Sequence, residues 1–164
     1  MSKELLEKQG YRFTGDHSSV KICAWTKYSI LDEGECYKNK FYGISTHRCV
    51  QMTPSMVCPN RCVFCWRSLD HYTAKDMKEI DDPKEIIENS IKAQRKLLTG
   101  LGGNKKVNNK KFEEAQNPNQ FAISLTGEPT IYPRLNELLK EIHKRNATSF
   151  LVTNGMFPGA LEKL

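Results

Sequence analysis

The sequence predicts an α/β fold in which parallel strands alternate with helices. Short apolar runs bounded by turn residues, the pattern of strands buried on both faces, occur at 49–57, 121–125 and 148–152. Each run is followed by a loop and then by a helical pattern, and three such units favour right-handed βαβ connections. The first run is the least regular, because Pro54 interrupts it.

Helix signals follow these runs. A first helix is predicted to begin at Asp82, an N-cap residue, with Pro83 at its first position. Apolar residues from Ile86 to Leu98 then fall mostly on one face, and Gly100 is expected to end the helix.

Two further helices are predicted to begin near Pro133 and at Pro158. Between the first helix and the second strand, the basic Gly- and Asn-rich stretch 100–119 is open to two interpretations. It is either a solvated surface loop or a contact for nucleic acid.

The composition fits one globular domain without a membrane segment. The chain has 164 residues, 38% of them hydrophobic and 27% charged. No apolar stretch approaches the roughly 18 residues of a membrane span, and no secretory signal is recognisable. We therefore expect a cytoplasmic protein with no membrane partner. The formal charge of +6 favours a polyanion such as RNA as a partner.

Six cysteines in a chain without an export signal indicate metal binding rather than disulfides. Cys58, Cys62 and Cys65 form a C-x3-C-x2-C motif directly after the first predicted strand. Three thiolates so spaced can each bind a different iron of one 4Fe–4S cluster and leave the fourth iron open. The alternative is structural zinc, which needs four ligands and would recruit His47 or His71.

This motif, whose aromatic residue is Phe64, resembles that of the radical S-adenosylmethionine (SAM) superfamily. The resemblance implies a partial (β/α) barrel of parallel strands with outer helices, of which this chain holds about the first three βα units. It also implies that SAM binds the open iron through its amino and carboxylate groups. Motifs after the second and third strands match the superfamily, and the implied cofactor contacts are Phe64, Gly127, Glu128, Pro129, Thr153 and Asn154.

The other three cysteines narrow the resemblance. Cys23, Cys36 and Cys49 are spaced C-x12-C-x12-C, which indicates a second cluster with an open iron. With the segments 20–25, 36–44, 46–49, 62–67 and 124–133, they resemble the 4-demethylwyosine synthases, tRNA-modifying enzymes of lyase type.

That family implies a reaction in which N1-methylguanosine of tRNA-Phe condenses with pyruvate. It implies two 4Fe–4S clusters and SAM as cofactors, with pyruvate held at the second cluster. A lysine is expected to engage pyruvate, and Lys38 is the match we favour over its rival Lys40.

The implied organisation is an N-terminal extension, 1–48, that carries ligands of the second cluster, and a truncated barrel, 49–164. A full barrel takes about 200 residues or more, so we expect a fragment of a longer protein. An external electron donor of flavodoxin or ferredoxin type is expected too. The candidate RNA contacts are Arg48, Arg61, Arg67, Lys105, Lys106, Lys110 and Lys111. Trp66 is expected to stack on a flipped base or on the adenine of SAM, or to pack beneath the cluster.

Two alternatives stay open. One is another radical SAM enzyme with an auxiliary cluster that acts on a peptide or small molecule. The other is a zinc-stabilised RNA-binding module without catalysis.

Overall fold

A mixed five-stranded sheet organises the chain. The structure is a computed structural model that describes residues 3–65, 77 and 79–164. The strands, in chain order and in the same order across the sheet, are β1 (Tyr11–Phe13), β2 (Ser19–Lys21), β3 (Cys49–Thr53), β4 (Gln120–Ile123) and β5 (Thr148–Leu151). Strands β1, β2 and β3 pair antiparallel, whereas β3, β4 and β5 pair parallel.

Seven helices surround the sheet in the described part of the chain. They are α1 (Lys3–Lys8), α2 (Ala24–Ile30), α3 (Tyr37–Tyr42), α4 (Pro83–Leu98), α5 (Asn109–Ala115), α6 (Leu135–His143) and α7 (Pro158–Leu161). Short 3₁₀ turns lie at Thr46–Arg48, Thr99–Leu101 and Pro129–Ile131. None of the described helices is long and apolar enough to cross a membrane.

The parallel strands lie where the apolar runs predict them. The first is shorter than expected and ends at Thr53, since Pro54 has no amide hydrogen to continue the ladder. Helix α4 begins as predicted, because the carboxylate of Asp82 accepts hydrogen bonds from the amides of Lys84 and Glu85. It ends at Leu98 rather than at Gly100, which lies in the following 3₁₀ turn.

Two elements differ from the expectation. The hairpin β1–β2 adds antiparallel strands, so the sheet is mixed rather than wholly parallel. The stretch 100–119 is not a loop throughout, because α5 forms within it. Asn108 caps this helix by accepting from the amide of Lys111 at 3.2 Å, and Ala115 is buried against Ile30.

The main core lies between the sheet and the helices α4 and α6. It joins Val50 and Met52 of β3 to Phe121 and Ile123 of β4. The helices contribute Ile86, Ile87, Leu135, Leu138 and Ile142, all at most 2% exposed. This packing fixes the three parallel strands side by side, with their carboxyl ends at one edge of the sheet.

Candidate cofactor site and second cysteine group

A cavity of about 340 Å³ lies at the carboxyl ends of the parallel strands. Its lining comes from the segments that follow β3, β4 and β5. The predicted residues on its wall are Cys58, Cys62, Phe64, Cys65, Gly127, Glu128, Pro129, Thr153 and Asn154. The structure therefore brings together the first cysteine triplet and every residue that the sequence assigned to SAM.

Gly127 allows the turn after β4 to lie against the segment that leads to Cys58. Its φ is +72°, and a Cβ at this position would overlap the carbonyl oxygen of Ser55. The next amide, that of Glu128, donates to the carbonyl oxygen of Val57 at 2.7 Å. A glycine is required here for both backbone conformation and close approach.

Glu128 joins two of the three segments that line the cavity, those that follow β4 and β5. Its side chain is buried, and Oε1 accepts hydrogen bonds from the hydroxyls of Thr130 at 2.5 Å and Thr153 at 2.6 Å. The amide of Thr130 also donates to Oε1, and the amide of Asn154 donates to Oε2 at 2.7 Å. The carboxylate thus ties the turn after β4 to the turn after β5, a structural role that sequence reasoning missed. Oε2 retains capacity for one more donor.

Asn154 lies next to the cysteines. Its side-chain Nδ2 is 3.7 Å from Sγ of Cys58, and its Oδ1 accepts from the amide of Met156 at 2.9 Å. The amide group is therefore oriented by the turn itself, with its donor end towards the thiol.

The second cysteine group is built from three separate elements. Cys23 and Cys36 stand at the N-caps of α2 and α3, and Cys49 opens β3. Burial raises the pKa of Cys49 to about 12; the ammonium of Lys38 opposes the rise, and the thiols of Cys23 and Cys36 add to it. These pairwise effects show that the four groups share one neighbourhood although the cysteines are far apart in sequence.

Neither cysteine group has the arrangement of a single-ion site. In the described ranges, no three Cys, His, Asp or Glu side chains form a group that could hold one metal ion. The ligands of a cubane bind different irons and so stand further apart than the ligands of one zinc. Three partly exposed thiols on a cavity wall fit the donor chemistry of such a cluster.

Of the two histidines proposed for zinc, only His47 lies among the described residues, and its contact does not support that alternative. His47 lies 2.7 Å from Oε2 of Glu114 through its Nε2, so this nitrogen is engaged by α5. The hydrogen bond with His47 lowers the pKa of Glu114. His71 lies outside the described residues.

Lys38 has a distinctive position. Its ammonium stands 5.2 Å from the ring centre of Tyr37 and 5.1 Å from that of Phe150 on β5. Its backbone amide donates to Sγ of Cys36 at 3.2 Å. Lys40, the rival, is exposed. The two aromatic partners of Lys38 were not predicted, since only the pairing of β5 with β4 brings Phe150 near α3.

The predicted RNA contacts differ in their surroundings. Lys111 is engaged within the protein, because its ammonium pairs with Asp32 at 2.8 Å and Glu35 at 2.9 Å. Its assignment as a phosphate contact is therefore corrected to a structural ion pair. Lys105, Lys106, Lys110 and Arg61 are exposed, and Arg48 donates to the carbonyl oxygen of Asn117. Arg67 and Trp66 lie outside the described residues.

The fold and the site define an α/β protein with a cysteine-lined cavity where three parallel strands end. Comparison with known proteins then places the chain among the homologues of the tRNA 4-demethylwyosine synthases, and the resemblance stated above is confirmed.

The S-adenosyl-L-methionine-dependent tRNA 4-demethylwyosine synthase of Pyrococcus horikoshii is 52% identical over 163 residues, which cover 98% of this chain and 48% of that protein. The mouse synthase TYW1 is 42% identical over 163 residues, 99% of this chain and 23% of that protein. A solved structure of TYW1 with a lysine–pyruvate adduct bound superimposes with a TM-score of 0.87 at 40% identity, over all of this chain and 55% of that one.

This chain therefore spans about half the length of its archaeal relative. No protein-family model matches the chain.

Proposed function

We propose that this chain forms part of a radical SAM tRNA 4-demethylwyosine synthase. The observation that carries the proposal is the cavity that unites Cys58, Cys62 and Cys65 with the turns after β4 and β5. The relatives that share this sequence are SAM-dependent synthases by name. The proposed reaction condenses N1-methylguanosine of tRNA-Phe with pyruvate, and the proposed fold of the complete core is a partial radical SAM barrel.

The first cysteine triplet would hold a 4Fe–4S cluster with one iron free for SAM. When bound, the cluster would pass one electron from the external donor to SAM, whose cleavage gives methionine and a 5′-deoxyadenosyl radical. The protein's part is to bind and orient. Oε2 of Glu128 can accept one more hydrogen bond, which suits the ammonium of SAM, and Asn154 presents an amide donor beside Cys58. Phe64, 85% exposed at the cavity wall, can cover the bound cofactor.

The second triplet, Cys23, Cys36 and Cys49, would hold the other cluster, with pyruvate beside it. The solved TYW1 structure contains a lysine–pyruvate adduct, which supports a lysine in this role. Lys38 is our candidate because its positive charge acts to lower the pKa of Cys49 and its ammonium lies over the rings of Tyr37 and Phe150. An external flavodoxin- or ferredoxin-type protein would supply the electron, and tRNA would bind through the exposed basic residues.

Metal analysis tests the proposal. After anaerobic reconstitution with iron and sulfide, we expect about eight irons per chain, four for each cubane. Replacing Cys58, Cys62 and Cys65 together by Ala should halve the iron, and so should replacing Cys23, Cys36 and Cys49. Stoichiometric zinc without sulfide would contradict the proposal and support a zinc-stabilised RNA-binding module. An iron–sulfur protein that binds SAM but shows no affinity for tRNA would support the other radical SAM enzyme.

Lys38→Ala tests the residue assigned to pyruvate. Reduction with borohydride in the presence of pyruvate traps a lysine imine as a stable mass increase. We expect the wild-type chain and Lys40→Ala, the matched control, to gain this mass and Lys38→Ala to lose it. Iron content should be the same in all three. Trapping that persists in Lys38→Ala and disappears in Lys40→Ala would move the role to Lys40.

A further inference from the structure

One buried histidine contacts both ends of the segment that carries the first cysteine triplet. His17 lies in the turn between β1 and β2 and is 1% exposed. Its Nδ1 is 2.6 Å from the carbonyl oxygen of Pro54, and its Nε2 is 3.0 Å from the amide nitrogen of Asp81. Pro54 precedes Cys58 in the chain and Asp81 follows Cys65. A single imidazole therefore bridges the entry and the exit of the cysteine segment.

The two partners determine the state of the ring. A backbone carbonyl can only accept a hydrogen bond and a backbone amide can only donate one. The geometry therefore makes Nδ1 the donor to Pro54 and Nε2 the acceptor from Asp81.

Backbone and carboxylate contacts reinforce the bridge. The amide of Met56 donates to the carbonyl oxygen of His17 at 3.0 Å, again at the entry of the segment. At the exit, the carboxylate of Asp81 accepts from the amides of Asp16 at 3.0 Å and His17 at 3.3 Å, and from the hydroxyl of Ser18 at 3.0 Å.

The surroundings leave little freedom for this arrangement to change. The hydroxyl of Tyr132 donates to the carbonyl oxygen of Asp81 at 2.7 Å, and its ring lies 5.6 Å from that of His17. The turn lies close to Asp81, because a Cβ on Gly15 would overlap this carboxylate in its present position.

We infer that His17 and Asp81 are positioning residues for the first cysteine triplet. By fixing both ends of the segment, they lower the conformational entropy that would be lost when three cysteines are gathered around one cluster. The hairpin β1–β2, which the sequence did not predict, thereby acquires a function: it supplies the turn that closes the base of this segment. The inference rests on the proposed function only in that the triplet binds a cluster.

The first test uses the metal-free chain. His17→Leu removes both ring hydrogen bonds and fills the space of the imidazole with an apolar side chain. Asp81→Asn is a milder change at the exit of the segment. Ile142→Ala is the matched control, because Ile142 is fully buried in the main core on α6 and belongs neither to the turn that holds His17 nor to the cysteine segment. Amide hydrogen exchange followed by mass spectrometry compares peptides covering 55–65 with peptides covering 36–49.

We expect His17→Leu to speed exchange in 55–65 by about tenfold, the effect of losing the hydrogen bond to Pro54 beside these residues, and to leave 36–49 unchanged. Asp81→Asn should give a smaller change in the same place. The control should speed exchange in both regions alike. If His17→Leu and Asp81→Asn also affect both regions alike, these residues merely stabilise the fold and the inference is overturned.

The second test uses anaerobic reconstitution. His17→Leu should lose the iron of the first triplet and retain that of the second, so that iron falls by about half. Equal iron in the variant and the wild type would overturn the inference. A wild-type chain that binds no iron would instead contradict the proposed function, while the exchange experiment would still decide the role of His17.

Discussion

Two glycines have nearly the same positive φ, but one lies against the backbone of a neighbouring segment and the other borders open space. Gly127 has φ +72° and Gly155 has φ +73°, but a Cβ would overlap Ser55 at the first and would meet nothing within 4 Å at the second. Gly155→Ala should lower the free energy of unfolding by about 1–2 kcal/mol, the cost of a left-handed alanine. Gly127→Ala should cost about 1–3 kcal/mol more because of the steric overlap. Urea unfolding measures both, and equal losses would contradict the close approach at Gly127.

At the scale of single residues, the sequence predicts membership of the site better than it predicts contacts. All nine residues assigned to the first cluster and to SAM line the cavity, since each follows a predicted strand. The partners of Glu128 could not be predicted, because Thr153 and Asn154 reach its carboxylate only once β5 pairs with β4. Lys111 was misassigned for the same reason: its partner Asp32 is distant in sequence.

At the scale of elements, ion pairs join Lys111 of helix α5 to Asp32 and Glu35, which lie between α2 and α3. Hydrogen bonds from Lys111 and Asn108 lower the pKa of Asp32. Because the pKa of Asp32 is lower in the folded state, its ionised carboxylate stabilises the fold at pH values above its pKa in the unfolded chain, about 4. This stability is lost as pH falls through the folded pKa.

Lys111→Met should therefore be slightly less stable than wild type at neutral pH, with a difference that shrinks below about pH 4. Lys110 is the exposed neighbour of Lys111 on the same helix, and Lys110→Met should leave stability unchanged. RNA binding should be weakened by Lys110→Met and not by Lys111→Met. Thermal unfolding at several pH values and RNA titration separate these effects. A stability difference that is as large in acid as at neutral pH would contradict the ion pair as its source.

Elements with a strong local pattern were predicted, and elements that depend on distant partners were not. Buried parallel strands and the amphipathic α4 have patterns readable within a few residues. Strands β1 and β2 have three residues each, too few for alternation to be recognised, and they exist because β2 pairs with β3. Helix α5 has a polar sequence whose few apolar residues become informative only against Ile30 and Leu98.

At the scale of the whole molecule, a mixed sheet separates two cysteine groups along one strand. Cys49 opens β3, and Cys58 follows its carboxyl end. A strand of this length advances about 3.3 Å per residue. Cys49 and Cys58 therefore lie at opposite ends of β3, Cys49 as its first residue and Cys58 in the segment that follows it. The meeting of the second group could not be predicted, because it depends on how the N-terminal ends of α2 and α3, where Cys23 and Cys36 lie, are placed in the fold.

The charge of the whole molecule predicts how RNA binding depends on salt. The chain carries 25 Lys and Arg against 19 Asp and Glu, and several of the basic residues are exposed. If about four phosphates are contacted, affinity for tRNA should fall about a hundredfold between 50 and 200 mM salt, because condensed counterions are released on binding. Filter binding over this range gives the slope, with Lys105→Ala combined with Lys106→Ala expected to reduce it. An affinity indifferent to salt would show that these exposed charges do not contact the RNA backbone, whatever chemistry the cysteines support.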